Sequence, residues 1–164
     1  FIRPPGAIEE DYFIYKCVRC GKCLKVCPVK CLQPVSLKDG FLEFGTPHII
    51  PRKKACLICL QCGKVCPTGA IQKVKIEEIK MGTAKINTNM CLVWKENKNC
   101  FVCMEVCPVS AIYKDEKVRP VVNTNECVGC GQCEQNCPVI GESAIKVSNS
   151  GEKRGRLKRG GKNV

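Results

Sequence analysis

Four times along the chain the spacing C-x-x-C-x-x-C-x-x-x-C-P, or a close variant, recurs, and it takes up sixteen of the seventeen cysteines. The runs are Cys17, Cys20, Cys23 and Cys27; Cys56, Cys59, Cys62 and Cys66; Cys91, Cys100, Cys103 and Cys107; and Cys127, Cys130, Cys133 and Cys137. A proline follows the last cysteine of each, at Pro28, Pro67, Pro108 and Pro138. Nothing else in the sequence constrains folding as much. Aromatic residues make up only 5% of the 164, so a large aromatic-rich core is out of reach. The length suits one ordinary domain or two small ones. Units below roughly 80 residues usually need covalent or metal staples. The thiols would provide them, and without that staple the chain is expected to be unfolded.

Disulfides are a poor account of these thiols, because the count is odd and the C-x-x-C pairs repeat at fixed spacing. Zinc is the better rival, since C-x-x-C is half a zinc ribbon. A ribbon, however, pairs two such units and has no need of a third nearby cysteine. The full run with its proline is the one that holds four-iron four-sulfur (4Fe–4S) clusters. Sixteen thiolates, at four per cluster, make four clusters and imply electron transfer. Three closely spaced cysteines wrap one face of the cube, and the fourth ligand comes from the partner run. Pairing neighbours gives Cys17, Cys20, Cys23 and Cys66 for the first set and Cys27, Cys56, Cys59 and Cys62 for the second. The third is then Cys91, Cys100, Cys103 and Cys137, and the fourth Cys107, Cys127, Cys130 and Cys133. Nesting, with run one against run four and run two against run three, stays open and uses the same ligands.

The segments between the runs repeat as well. Ala70-Ile71, Ala111-Ile112 and Ala144-Ile145 follow the last three runs, and Cys31-Leu32 holds the matching place after the first. Lys85-Ile86-Asn87-Thr88-Asn89 and Val121-Val122-Asn123-Thr124-Asn125 lead into runs three and four alike. Each unit is expected to be a cluster loop, a short helix beginning near the third cysteine, then strand, turn and strand. The fold class is α+β: two tandem bacterial-type ferredoxin-like modules, each with a pseudo-twofold repeat. The first module spans 1–80, with an extended N-terminal arm and a hairpin insertion predicted from Val35 to Phe44, turning at Asp39-Gly40. The stretch Thr46-Pro47-His48-Ile49-Ile50-Pro51 beyond it reads as a surface insertion or a docking surface. The second module spans 81–147. A basic tail, 148–164, is expected to be mobile, with six Lys or Arg after Gly151, four Gly and one acid.

Several residues depart from the repeat. Eight residues, Leu92 to Asn99, widen the third run, and Cys91 is still expected to be a ligand. That insertion carries the only tryptophan, Trp94, expected to pack over the cluster or to serve as a contact where electrons leave. Cys31 is expected to be a small buried hydrophobe. His48, the only histidine, reads as a surface or structural residue rather than a ligand. No nucleophile–base pair, phosphate loop or acid pair stands out, so the chain is not expected to be an enzyme.

The formal charge of +12 counts cysteine as neutral. An oxidised cluster with four thiolates subtracts two charges, so four of them bring the total to about +4. The basic excess, Arg52-Lys53-Lys54 included, therefore balances cluster charge and suits an acidic redox partner. It lacks the interleaved aromatics of a nucleic-acid surface. Salt-sensitive binding to DNA or RNA would mark that alternative class. No stretch reaches the length of a membrane span. The first residue is Phe1, which reads as loss of a preceding segment, by processing or truncation.

The Arg3-Pro4-Pro5-Gly6-Ala7 entry, the four runs in order and the widened Cys91-Leu92-Val93-Trp94 together resemble the four-cluster polyferredoxins of the NapG/MauM type. Some such proteins resemble the iron–sulfur electron-transfer subunits of tungsten-dependent aldehyde oxidoreductases in anaerobes, and others serve periplasmic nitrate reductases. The resemblance implies an electron relay with four 4Fe–4S clusters. A large catalytic subunit with a tungsten- or molybdenum-pterin centre stands at one end, and ferredoxin or a similar carrier at the other. The tungsten aldehyde oxidoreductase setting is the first expectation; the nitrate-reductase or another dehydrogenase setting is the alternative. The compartment is expected to be cytoplasmic, or periplasmic if a twin-arginine segment has been removed.

Overall fold

The computed structural model describes residues 1–155. Regular structure is confined to short pieces because the cysteine loops interrupt it every few residues. Helix α1 is Glu10–Lys16, and α2 (Lys22–Val26), α3 (Gln61–Val65), α5 (Val102–Glu105) and α6 (Gln132–Gln135) each begin just before the third cysteine of a run. The insertion in run three forms α4, Leu92–Glu96, capped by Cys91 at its start and left-handed Asn97 at its end. The strands are β1 (Leu32–Pro34), β2 (Pro47–Ile49), β3 (Thr83–Ile86), β4 (Ile112–Lys114), β5 (Pro120–Val122) and β6 (Ile145–Ser148).

Strand pairing follows the runs. β1 pairs with β2, and β4 with β5, so the strand leaving an odd run meets the strand entering the next. β3 and β6 pair antiparallel, from Thr83 against Ser148 to Ile86 against Ile145, and bracket runs three and four. Runs one and two are bracketed in the same way by the arm: the Ile8 N–H donates to the Ala70 carbonyl at 3.1 Å, and the Gln72 N–H to the Gly6 carbonyl at 2.7 Å. The arm is thus joined to the fold by isolated bridges rather than hanging as a loose lead. Two apolar clusters form. One joins Ile8, Phe13, Ile49 and Ile71 to the cysteines of runs one and two, and the other centres on Ala84, Ala111, Ile112 and Ile145.

The arm is held by a buried charge. Arg3 is 2% exposed and lies between Phe1 and Phe13, its guanidinium 5.1 and 4.7 Å from their ring centroids. It donates to Glu10, to the Thr46 hydroxyl at 2.9 Å and to the Pro47 carbonyl at 2.9 Å.

Three expectations need correction. The hairpin is real, but its strands are 32–34 and 47–49 rather than the two halves of 35–44. Pro34 and Pro47 face each other near the end of the ladder, where neither can donate. One further pairing, Val35 N–H to the Thr46 carbonyl at 2.8 Å, closes the ladder, and residues 36–45 form a turn-rich loop. The stretch expected at the surface is instead buried: Thr46 is 0%, His48 6% and Ile49 2% exposed. His48 Nδ1–H donates to the Gln33 carbonyl at 3.0 Å, a structural role, and burial lowers the pKa of its ring. The tail is also held further than expected. Lys153 N–H donates to the Lys80 carbonyl at 2.8 Å, Gly155 N–H to Ala7 at 3.1 Å, and Arg154 pairs with Glu10 and Glu152. Residues 156–164, where the rest of the expected mobile tail falls, lie outside the described residues.

Candidate metal centres

Local backbone geometry aims each run inward. In runs one, two and four the residue before the second cysteine and the one after it are left-handed: Arg19 and Gly21, Ile58 and Leu60, Gly129 and Gly131. Alternating left-handed turns direct successive N–H groups into one concavity, an anion-binding arrangement suited to thiolates and sulfide. At Ile58 and Leu60 this conformation is forced on side chains that ordinarily avoid it. After each run comes another left-handed residue, at Lys30, Gly69, Ser110 and Gly141. In the first three runs it sits directly before the small-residue position.

That turn has a consequence for the last cysteine of each run. Cys31 N–H donates to Cys27 Sγ at 3.4 Å, Ile71 N–H to Cys66 Sγ at 3.4 Å, and Ala111 N–H to Cys107 Sγ at 3.3 Å. Ile58 N–H reaches Cys56 Sγ at 3.3 Å, and Ala84 N–H reaches Cys127 Sγ at 3.4 Å. Burial alone would raise the thiol pKa of Cys66 and Cys137. Donors around each more than offset it: Ile71 and Thr68 at Cys66, and Ser143 and Val139 at Cys137. The sequence reading missed these donors; their signal is the recurring spacing from C-P to the small residue.

The thiols gather in fours. Cys17, Cys20, Cys23 and Cys66 line one cavity. Cys27, Cys56, Cys59 and Cys62 line a second. Cys91, Cys100, Cys103 and Cys137 line a third. Cys107, Cys127, Cys130 and Cys133 stand close enough for their charges to interact. Every set takes three cysteines from one run and one from its neighbour, which is the tandem arrangement rather than the nested one. Burial is the main influence that pushes Cys23 and Cys130 up to about 11, and Cys62 and Cys103 up to about 12. Neighbouring thiols add to the shift. Such groups stay neutral thiols by themselves, and holding all four as thiolates would take a cation among them. Among the described residues, no three His, Cys, Asp or Glu side chains close on the space of one metal ion, as zinc would require. The thiols stand back around voids, which fits a cube of iron and sulfide.

Cys31 is 2% exposed, in line with Ala70 at 1%, Ala111 at 1% and Ala144 at 3%. Its Sγ lies 3.4 Å from Cys27 Sγ, and it lines the second cavity. Cys56 and burial together hold Cys31 as a thiol, and its hydrogen bond lowers the pKa of Cys56. Trp94 does not take the place expected over the third cavity. Leu92 lines that cavity, while Trp94 donates to the Pro120 carbonyl at 3.0 Å and stacks under Arg119, 3.9 Å away. Arg52, grouped with Lys53 and Lys54 as a surface cation, is committed to the carbonyls of Glu134, Cys137, Val139 and Gly141.

The family described as the 4Fe-4S dicluster domain matches residues 16–70 and 97–140. The methylamine utilization ferredoxin-type protein MauM of Paracoccus denitrificans is 38% identical over 160 residues, covering 89% of this chain and 70% of that protein. The ferredoxin-type protein NapG of Escherichia coli is 35% identical over 163 residues, covering 89% and 69%. A chain of the formate dehydrogenase–heterodisulfide reductase–formylmethanofuran dehydrogenase complex of Methanospirillum hungatei aligns with a TM-score of 0.33 and 27% identity. That alignment covers 88% of this chain and 52% of the other. The chain is a ferredoxin-type iron–sulfur protein that carries electrons rather than an enzyme. Within that class it belongs to the NapG/MauM-type polyferredoxins.

Proposed function

We propose that the chain holds four 4Fe–4S clusters in the four thiol sets and relays single electrons between a large oxidoreductase subunit and a soluble carrier. The cavities that each draw three cysteines from one run and one from its neighbour carry this reading. A bound cluster supplies one-electron chemistry at a potential set by its surroundings. The protein contributes the thiolates, the N–H groups that stabilise charge on sulfur, and an apolar wall of Leu24, Ile71, Leu92 and Ile145 that limits water. Each half is read as a module with pseudo-twofold symmetry, the first ending near residue 80 and the second near 147. Anaerobic purification should return about sixteen irons with matching sulfide per chain; zinc, or fewer than about twelve irons, overturns the reading.

For the partner, a catalytic subunit with a tungsten- or molybdenum-pterin centre is proposed, first a tungsten aldehyde oxidoreductase. The NapG/MauM likeness supports an oxidoreductase, and a partner in methylamine utilization, as in the name of the Paracoccus relative, is the second reading. Metal analysis of the complex co-purified anaerobically from the native host separates them. Among the described residues, no helix is long and apolar enough to cross a membrane. The cytoplasm, which keeps thiols reduced, is the proposed compartment, to be checked by fractionation.

A further inference from the structure

We infer that electrons cross between the two halves of the chain where Cys56 meets Cys130, so that the four sets are visited in an order different from that of the sequence. The inference rests on the relay reading above. The order is the Cys17 set, the Cys27–Cys56 set, the Cys107–Cys130 set, and last the Cys91 set.

Within each half the two sets are interlocked, since each contains the last cysteine of the other's triplet run. What remains open is which set of the first half faces which set of the second. Cys56 belongs to the second set and Cys130 to the Cys107 set, and the Cys56 N–H donates directly to the Cys130 carbonyl at 2.9 Å. Two more hydrogen bonds flank this one, from the Gln132 side chain to the Cys56 carbonyl at 3.4 Å and from the Ala55 N–H to Gln135 Oε1 at 2.6 Å. Arg52 reaches across the same seam to four carbonyls between Glu134 and Gly141. The backbones are pressed together here: a Cβ on Gly131 would stand 2.5 Å from Pro51. Cys130 also packs in the same buried cluster as Cys23, Cys27, Cys56 and Cys62, although it comes from the other half.

The other two sets are marked by the irregularities of the repeat. Cys20 of the Cys17 set is exposed, as is Cys59 of the second set, so it is the inserted loop that sets the Cys17 set apart. Arg19 ties the inserted loop to it, donating to the Phe44 carbonyl at 2.7 Å and to Leu42 at 3.0 Å. The Cys91 set is walled by Leu92 from the run-three insertion. Electron tunnelling weakens steeply with distance, so the nearest pair across the seam carries the traffic and the sets beside the two insertions become the ends.

The direct test locates the irons of the anaerobically prepared holoprotein by anomalous scattering at the iron edge. The shortest separation between halves is expected between irons held by the Cys27–Cys56 and Cys107–Cys130 sets; any other pair being closer overturns the route. Paramagnetic resonance of the fully reduced protein gives a second readout. Cys59→Ser should change the spin–spin splitting of the Cys107–Cys130 signal, and Cys20→Ser should leave it unchanged; the reverse pattern refutes the order. A full iron complement with a different nearest pair refutes only the route, whereas zinc or a large iron deficit refutes the relay reading itself.

Discussion

Removing Arg3 should loosen the first half of the protein without touching any thiol. Its side chain is 1% exposed and its partner Glu10 34%. Truncation to alanine leaves the Glu10 carboxylate and the Pro47 carbonyl short of a donor, and removes a cation between two rings. Breaking a buried ion pair costs about 3–5 kcal/mol. Glu10 is partly solvated and keeps Arg154 at 3.3 Å, so the lower end, about 3 kcal/mol, applies here. Unfolding of a cluster protein is irreversible, so the quantity to measure is a rate. If most of this loss lowers the barrier to opening, visible absorbance should bleach between about 10-fold and 100-fold faster at a fixed temperature. Arg3→Lys, which keeps the charge but loses the fork, should fall between. Bleaching of Arg3→Ala within twofold of the native rate would refute the reasoning.

The pH dependence has a definite sign. Burial alone would raise the pKa of the Glu10 carboxyl, but the hydrogen bonds and charge of Arg3 outweigh it and hold the group below its ordinary 4.5. A lowered folded value means that the pair's contribution is complete above 4.5 and fades as pH falls through the folded value. The gap in bleaching rate between native protein and Arg3→Ala should therefore be full at neutral pH and shrink in acid below that value.

Four further substitutions bear on other parts of the fold. Arg52→Ala strips four carbonyls of their donor; with the side chain only partly buried, it should destabilise by about 2 kcal/mol, read as faster bleaching with the iron content unchanged. Gly129→Ala would put a Cβ 2.6 Å from the Gly82 nitrogen at a φ of +73°, and should cost on the order of 3 kcal/mol, whereas Gly69→Ala, with a φ of +68° but open space around it, should cost about 1 kcal/mol. Cys31→Ala should retain every cluster, because Ala fills this position in the other repeats, but it should lower the potential of the second set by removing an S–H donor 3.4 Å from Cys27 Sγ; an unchanged potential in a redox titration would refute that role.

The thiol spacing made the four runs readable but left open which run pairs with which, and the short helices at each third cysteine follow from it. The strands were harder. Leu32–Pro34 and Pro47–Ile49 are three residues each, too short to show a period, and two of those six residues are prolines. Pro47 and His48 looked like surface residues because proline and histidine usually are. They are buried because the arm from Phe1 to Ile8 covers them, a contact set by partners more than forty residues apart. Arg3 misleads for a related reason, since a cation near a chain end gives no sign that it is caged by two rings and a carboxylate. The seam at Cys56 and Cys130 left no local trace. Its glycine, Gly131, is explained only by the close approach of Pro51 that it permits.

The element that recurs most faithfully is a backbone direction rather than a residue type. After each C-P comes a left-handed residue, Lys30, Gly69, Ser110 or Gly141, then a small buried one, Cys31, Ala70, Ala111 or Ala144. The left-handed turn points the following N–H groups at the sulfur of the last cysteine, and the small side chain lets that turn lie against the cavity. Glycine is not required for the turn, since lysine and serine serve at two of the four places, and strain of about 1–2 kcal/mol at each is the cost of aiming the donor. In the fourth repeat Glu142 and Ser143 stand between the turn and Ala144, and the Ser143 hydroxyl joins the backbone donors at Cys137. The same requirement explains why a cysteine is tolerated at position 31. It is small enough to keep the turn in place, its N–H points where Ala111 N–H points, and its thiol adds one further donor at a single set. Thr68 at Cys66 and Ser143 at Cys137 add hydroxyl donors to two other sets, and the seventeenth cysteine gives the second set a thiol in their place, so its potential should respond to that side chain alone.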